Sequence, residues 1–116
     1  MRLSVFGLGY VGCVSAACFA RDGHEVIGVD VNPLKVEIIA AGRSPIVESG
    51  VNELISEMVA SHRLRATVDS AEAVKVSDIS LVCVGTPSQT NGSLDLRYVE
   101  RVCQEIGTAL ATKNEY

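Results

Sequence analysis

The sequence lacks most of what marks a nucleic-acid-binding, membrane-spanning or metal-binding chain. It has no basic stripe or arginine-rich arm, and 14 acidic residues outweigh 10 basic ones for a formal net charge of −4. Nucleic acid and anionic membrane surfaces are therefore not expected as partners. Apolar runs are broken every few residues by charge or glycine, and no signal-peptide pattern precedes the first strand, so the chain reads as cytoplasmic with no membrane span. Cys13, Cys18, Cys83 and Cys103 form no CxxC pair, and His24 and His62 are isolated. Neither a disulfide framework nor a metal site is expected, and the cysteines read as buried thiols. Cys13 differs in lying in the first turn of a predicted helix, where the dipole can lower a thiol pKa. Gly and Pro occur without low-complexity runs, which excludes disorder. What is present is 47% hydrophobic and 21% charged residues over 116 positions. That composition predicts one globular domain, residues 1–116, short for a complete two-domain enzyme.

The chain is organised around its first twelve residues. Leu3 to Phe6 reads as a strand, followed by a glycine turn and a helix from Tyr10 to Arg21. In Gly7-x-Gly9-x-x-Gly12, Gly7 permits the tight turn and Gly9 lets backbone approach a pyrophosphate. Gly12 lets the helix lie close on the strand. The N–H groups of Tyr10, Val11 and Gly12 then form an anion site at the positive end of the helix dipole. A second strand, Glu25 to Asp30, ends in an acid 18 positions beyond Gly12. A βαβ dinucleotide-binding fold places there the carboxylate that takes the adenosine ribose hydroxyls. As a bare residue Asp30 also fits a strand-ending cap. The acid disfavours a 2′-phosphate and no arginine follows it immediately, so the cofactor reads as NAD rather than NADP.

Further along, Asn32-Pro33 opens a helix whose buried face is Val36, Ile38, Ile39 and Ala40, and Gly42 ends it. Lys35, in its first turn, can reach the adenosine half of a cofactor or stand solvated. Residues 42–50 read as a loop, Val51 to Ser61 as a helix, Leu64 to Val68 as a strand, and Ser70 as the cap of a short helix. Ile79 to Val84 is a nearly continuous apolar run, which predicts a parallel strand buried on both faces. In an α/β, Rossmann-like doubly wound sheet of order 3-2-1-4, that strand lies beside the first. Gly85-Thr86-Pro87 then faces the glycine turn, with the Thr86 hydroxyl set to bond the cofactor. After a turn-rich loop with Asn91-Gly92 at its tip, Asp95 caps a helix from Leu96 to Thr112. Its stripe of Val99, Val102, Cys103, Ile106 and Leu110 reads as core.

Taken together, Phe6-Gly-Leu-Gly-Tyr-Val-Gly12, Gly28-Val-Asp30 with Lys35, Ser44-Pro-Ile-Val-Glu48, and Val82-Cys-Val-Gly-Thr-Pro87 with Asp95-Leu96 resemble the N-terminal domain of the UDP-glucose/GDP-mannose dehydrogenase family. Within it, Val84 to Leu96 and Val99 to Gly107 are most similar to the GDP-mannose-oxidising members of alginate synthesis, with the UDP-glucose-oxidising members as the alternative. The resemblance implies oxidation of a nucleotide-sugar C6 alcohol to the carboxylate with two NAD reduced, through a thiohemiacetal and thioester on a cysteine. It makes Tyr10, Val11, Asp30, Lys35 and Thr86 cofactor contacts. It also implies a homo-oligomer for the full-length enzyme.

The family's Gly-Gly-Ser-Cys motif is absent here, and its usual Glu-Pro-Gly is Glu48-Ser49-Gly50. The expectation is a truncated NAD-binding domain, inactive alone, whose sugar-nucleotide substrate is met by a missing C-terminal domain. The missing strands leave a bare sheet edge and an uncovered apolar helix face, which predict marginal stability or self-association. A non-catalytic interaction module and a methyl-donor-binding fold are the competing readings.

Overall fold

A computed structural model describes residues 1–84 and 96–113. These residues run β1 (Arg2–Phe6), α1 (Tyr10–Arg21), β2 (Glu25–Val29), α2 (Pro33–Ala40), α3 (Val51–Ala60), β3 (Leu64–Thr67), α4 (Ser70–Val76), β4 (Ile79–Val82) and α5 (Arg97–Thr112). The expected Gly85-Thr86-Pro87 turn, the loop after it and the Asp95 cap lie outside the described residues.

All strand pairings are parallel and the order is β3-β2-β1-β4, as the sequence predicts. The period-two alternation of β1 divides the core. Leu3 and Val5 join Val26, Leu64 and the inner faces of α1, α2 and α3, while Phe6 joins Ile27, Val29 and residues of α4 and α5. Helices therefore cover both faces, with the reversal of winding between β1 and β4. Small residues let α1 lie close on the sheet: Gly12, Cys13, Ala16, Ala17 and Ala20 are its buried positions. Ser4, wholly buried in β1, is satisfied by a chain of hydroxyls: Ser77 Oγ donates to Ala73 O, and Ser4 Oγ lies 2.9 Å from Ser77 Oγ and 2.7 Å from Ser80 Oγ.

Four expectations are corrected. β4 is not buried on both faces: Ile79 and Val82 are exposed, and among the described strands it lies at the bare sheet edge that the sequence predicts. Asp69, not Ser70, caps α4, accepting from Glu72 N–H at 3.1 Å, while Ser70 is already helical and donates to Glu105. In α2 only Ile39 is fully buried and Ala40 is exposed, because the helix is short and packs through one turn. The α5 stripe is only partly core: Val102 and Ala109 are buried, whereas Cys103 and Leu110 are exposed, because α5 rests on α4 along one narrow line.

Candidate functional site

The carboxyl ends of β1 and β4 diverge at the switch point, where doubly wound sheets bind ligands. A cleft of about 940 Å³ opens there, lined by Gly7 to Val11, Asp30 to Asn32, Lys35, Cys83 and Val84, and by three residues of α5. The size lies near the top of the range of about 300–1,000 Å³ usual for small-molecule sites and suits an extended dinucleotide.

Each glycine of the turn has a distinct physical reason. Gly7 has φ +103°, and a Cβ there would lie 2.7 Å from Cys83 O. A Cβ on Gly12 would lie 1.6 Å from Gly7 O. Gly9 is the opposite case, since a Cβ there would meet nothing within 4 Å and would stand in open space. That open space is the room a pyrophosphate needs against the backbone. The first bond of α1 runs from Cys13 N–H to Gly9 O at 2.9 Å. The N–H groups of Tyr10, Val11 and Gly12 precede it, so the helix itself gives them no partner.

Asp30 lies one residue past β2 and is nearly buried, 9% exposed. Its Oδ2 accepts from Leu8 N–H at 2.8 Å and its Oδ1 from Asn32 N–H at 2.9 Å. The acid is thus bonded directly to the glycine turn, and each oxygen keeps lone-pair capacity for a ligand hydroxyl. Leu8 completes the link in a way the sequence reading missed. Its side chain is buried over Gly28, where a Cβ would lie 2.7 Å from Leu8 Cδ2. The signal that could have found it is the glycine at an inward position of β2.

Lys35 reaches the same cleft from α2, whose start is fixed by the Asn32 side chain accepting from Leu34 N–H at 3.0 Å with Pro33 beside it. Thr86 lies outside the described residues, although Cys83 and Val84 just before it do line the cleft. Also unforeseen were Arg97, Tyr98 and Arg101, which α5 brings to the Asp30 end. The Tyr98 hydroxyl lies near the end of β2; burial, then the nearby Asp30 charge, raises its pKa, against a lowering by the Val31 backbone.

The Tyr10 hydroxyl faces Glu48, and that carboxylate raises the Tyr10 pKa. The pair brings the loop before α3 beside the start of α1. Cys13 reverses its expectation: burial pushes its thiol up to about 11, outweighing the Lys35 charge, which lowers it, and its Sγ donates to Leu8 O at 3.2 Å. All four cysteines are free, and their burial varies, with Cys13 buried, Cys18 and Cys83 half-buried and Cys103 exposed. Among the described residues no group of acids, histidines and cysteines could hold a metal ion, and no helix is long and apolar enough to cross a membrane.

The family model described as "UDP-glucose/GDP-mannose dehydrogenase family, NAD binding domain" matches residues 1–115. The chain is 53% identical to GDP-mannose 6-dehydrogenase of Pseudomonas syringae pv. tomato over 114 residues, which is 98% of this chain and 26% of that protein. It is 42% identical to UDP-glucose 6-dehydrogenase of Rhizobium meliloti, over 95% of this chain and 25% of that protein. Among solved structures, a ternary complex of GDP-mannose dehydrogenase from Pseudomonas aeruginosa superposes with a TM-score of 0.97 at 54% identity, covering 99% of this chain and 26% of that one. The chain spans about a quarter of the length of the curated relatives it matches.

Proposed function

The chain belongs to the UDP-glucose/GDP-mannose dehydrogenase family, as its NAD binding domain, and from that premise we propose that it is the cofactor-holding quarter of a nucleotide-sugar 6-dehydrogenase acting on GDP-mannose. One observation carries the reading: the glycine turn and the strand-end acid sit on one cleft and are joined by the Leu8 N–H to Asp30 Oδ2 bond of 2.8 Å. In this reading the N–H groups of Tyr10, Val11 and Gly12 hold the pyrophosphate over Gly7 and Gly9, and Asp30 takes the adenosine ribose hydroxyls. Lys35 flanks the ribose, and Thr86 serves the same cleft from the β4 side. NAD, when bound, supplies the hydride acceptor. The sequence holds no Gly-Gly-Ser-Cys motif to supply a nucleophile, so the chain alone binds cofactor and oxidises nothing. GDP-mannose is favoured over UDP-glucose by the identities of 53% and 42% to the respective relatives.

Calorimetric titration of NAD into the purified chain, beside Asp30→Ala, tests this. Saturable NAD binding that weakens at least about tenfold in the variant supports it, since charge-assisted bonds to the ribose would be lost. A folded chain that binds no NAD overturns it and leaves the interaction-module reading.

A further inference from the structure

β4 runs on into Cys83 and Val84, which line one side of the cleft. Cys83 N–H donates to Phe6 O at 2.7 Å, and the Cys83 carbonyl sits directly against Gly7, where a Cβ would lie 2.7 Å from its oxygen. The register of β4 on β1 thus decides which peptide meets the glycine turn. On the cofactor reading just given, whatever fixes that register also shapes the nucleotide site.

Little in the strand itself fixes it. Ile79 to Val84 is apolar nearly throughout and lacks the alternation that tells one face of a strand from the other, so a slip along β1 would still set apolar side chains against apolar neighbours. Arg2 and Asp78 pair at 3.3 Å where the strand begins, but both are exposed to water, which weakens their hold. The one internal mark is a hydroxyl. Ser80 is the only hydroxyl residue between Ile79 and Val84 and is the register partner of Ser4, the only one in β1; their Oγ atoms lie 2.7 Å apart.

Counting hydrogens gives this contact a direction. Ser77 Oγ donates its single hydrogen to Ala73 O at 2.7 Å, so it accepts from Ser4 Oγ at 2.9 Å. Ser4, its own hydrogen used, then accepts from Ser80. The chain of bonds runs from β4 through β1 into α4, with Ser4 wholly buried and Ser77 2% exposed. A β4 shifted by two residues would bring Ser80 against Arg2 or Phe6 and break it.

We propose, resting on the cofactor reading, that Ser4 and Ser80 are positioning residues for the cleft: their hydroxyl bond, held from α4 by Ser77, keeps β4 in the one register that seats Cys83 against the glycine turn.

The test uses two nearly isosteric replacements that differ in the hydroxyl, Ser80→Thr and Ser80→Val, at a half-buried strand position. NAD is titrated calorimetrically into the parent and both variants at a temperature where circular dichroism shows each folded. Ser80→Val is expected to weaken NAD binding about fivefold through the molecules out of register, and Ser80→Thr to stay within about twofold of the parent. A merely structural hydroxyl would lower Tm in Ser80→Val and leave the affinity of the folded chain unchanged. That result overturns the proposal, as does equal weakening in the two variants. Should Ser80→Val not fold, Ser80→Ala takes its place against the same Thr standard. Amide hydrogen exchange reads register without cofactor: Cys83 N–H should exchange faster in Ser80→Val but not in Ser80→Thr, measured against Val26 N–H, which bonds to Arg63 O at 2.8 Å away from β4. A parent chain that binds no NAD overturns the cofactor reading, and exchange then decides the register alone. Faster exchange at Cys83 confined to Ser80→Val sustains it, and equal exchange in the two variants overturns it.

Discussion

Gly12 stands so close to Gly7 that a side chain could not begin there: its Cβ would lie 1.6 Å from the Gly7 carbonyl oxygen. Gly9, midway between them, would carry a Cβ into open space. The two positions therefore separate folding from binding. Gly12→Ala is expected to cost at least about 2 kcal/mol of stability, because backbone rather than a side-chain tip must move. Gly9→Ala, at an extended helix cap with φ −83°, is expected to cost at most about 1 kcal/mol and to abolish measurable NAD binding. Urea denaturation paired with NAD titration reads both. Equal stability losses in the two variants would refute the distinction.

The raised pKa of Cys13 makes the protein alkali-sensitive. The thiol ionises near the usual 9.0 when unfolded and near 11 when folded, so between those values the unfolded chain binds fewer protons and stability falls as pH rises. The contribution is whole below pH 9 and lost above pH 11, amounting to about 2–3 kcal/mol. Denaturation midpoints at pH 8 and pH 10.5 should differ more for the parent than for Cys13→Ala, and an equal difference in the two would exclude the Cys13 contribution. In alkylation at pH 8, the exposed Cys103 should react well before the buried Cys13.

His62 occupies a position that prefers glycine. It has φ +62° at the end of α3, where its N–H donates to Val59 O and that of Arg63 to Met58 O. The same bond pattern ends α1 at Gly23 and α2 at Gly42. Replacing the strained residue, His62→Gly, should raise stability by about 0.5–1 kcal/mol net of the greater chain entropy of glycine. Thermal unfolding would show it as an increase in Tm, and a decrease would exclude strain at this turn.

The legible parts of this site were those written in consecutive residues. Gly7, Gly9 and Gly12 report local backbone constraints, and Asp30 follows at a distance set by the length of one helix and one strand, so their spacing predicts their geometry. The winding of the sheet followed from the same units. What escaped the sequence came from contacts between distant elements. Tyr98 and Arg101 line the cleft with Asp30 only because α5 crosses the second face, and nothing in their own segment distinguishes them from solvated helix residues. Leu8 over Gly28 is a packing fact between two elements, as is the approach of Tyr10 to Glu48. The burial of β4 on both faces was read from its apolar composition, yet composition records how a strand is equipped and not which neighbours cover it.

One side of the cleft is mounted on a lightly anchored helix. Of sixteen residues in α5, Val102 and Ala109 alone are fully buried, so its undocking exposes little apolar surface compared with unfolding β1. Its amide hydrogens should therefore exchange with solvent through a local opening, ahead of those in the sheet. Every opened molecule lacks Arg97, Tyr98 and Arg101 at the cleft, so cofactor affinity is scaled by the docked fraction. A substitution on the α4 side of that seam, such as at Ala73, would then weaken nucleotide binding without touching the cleft at all.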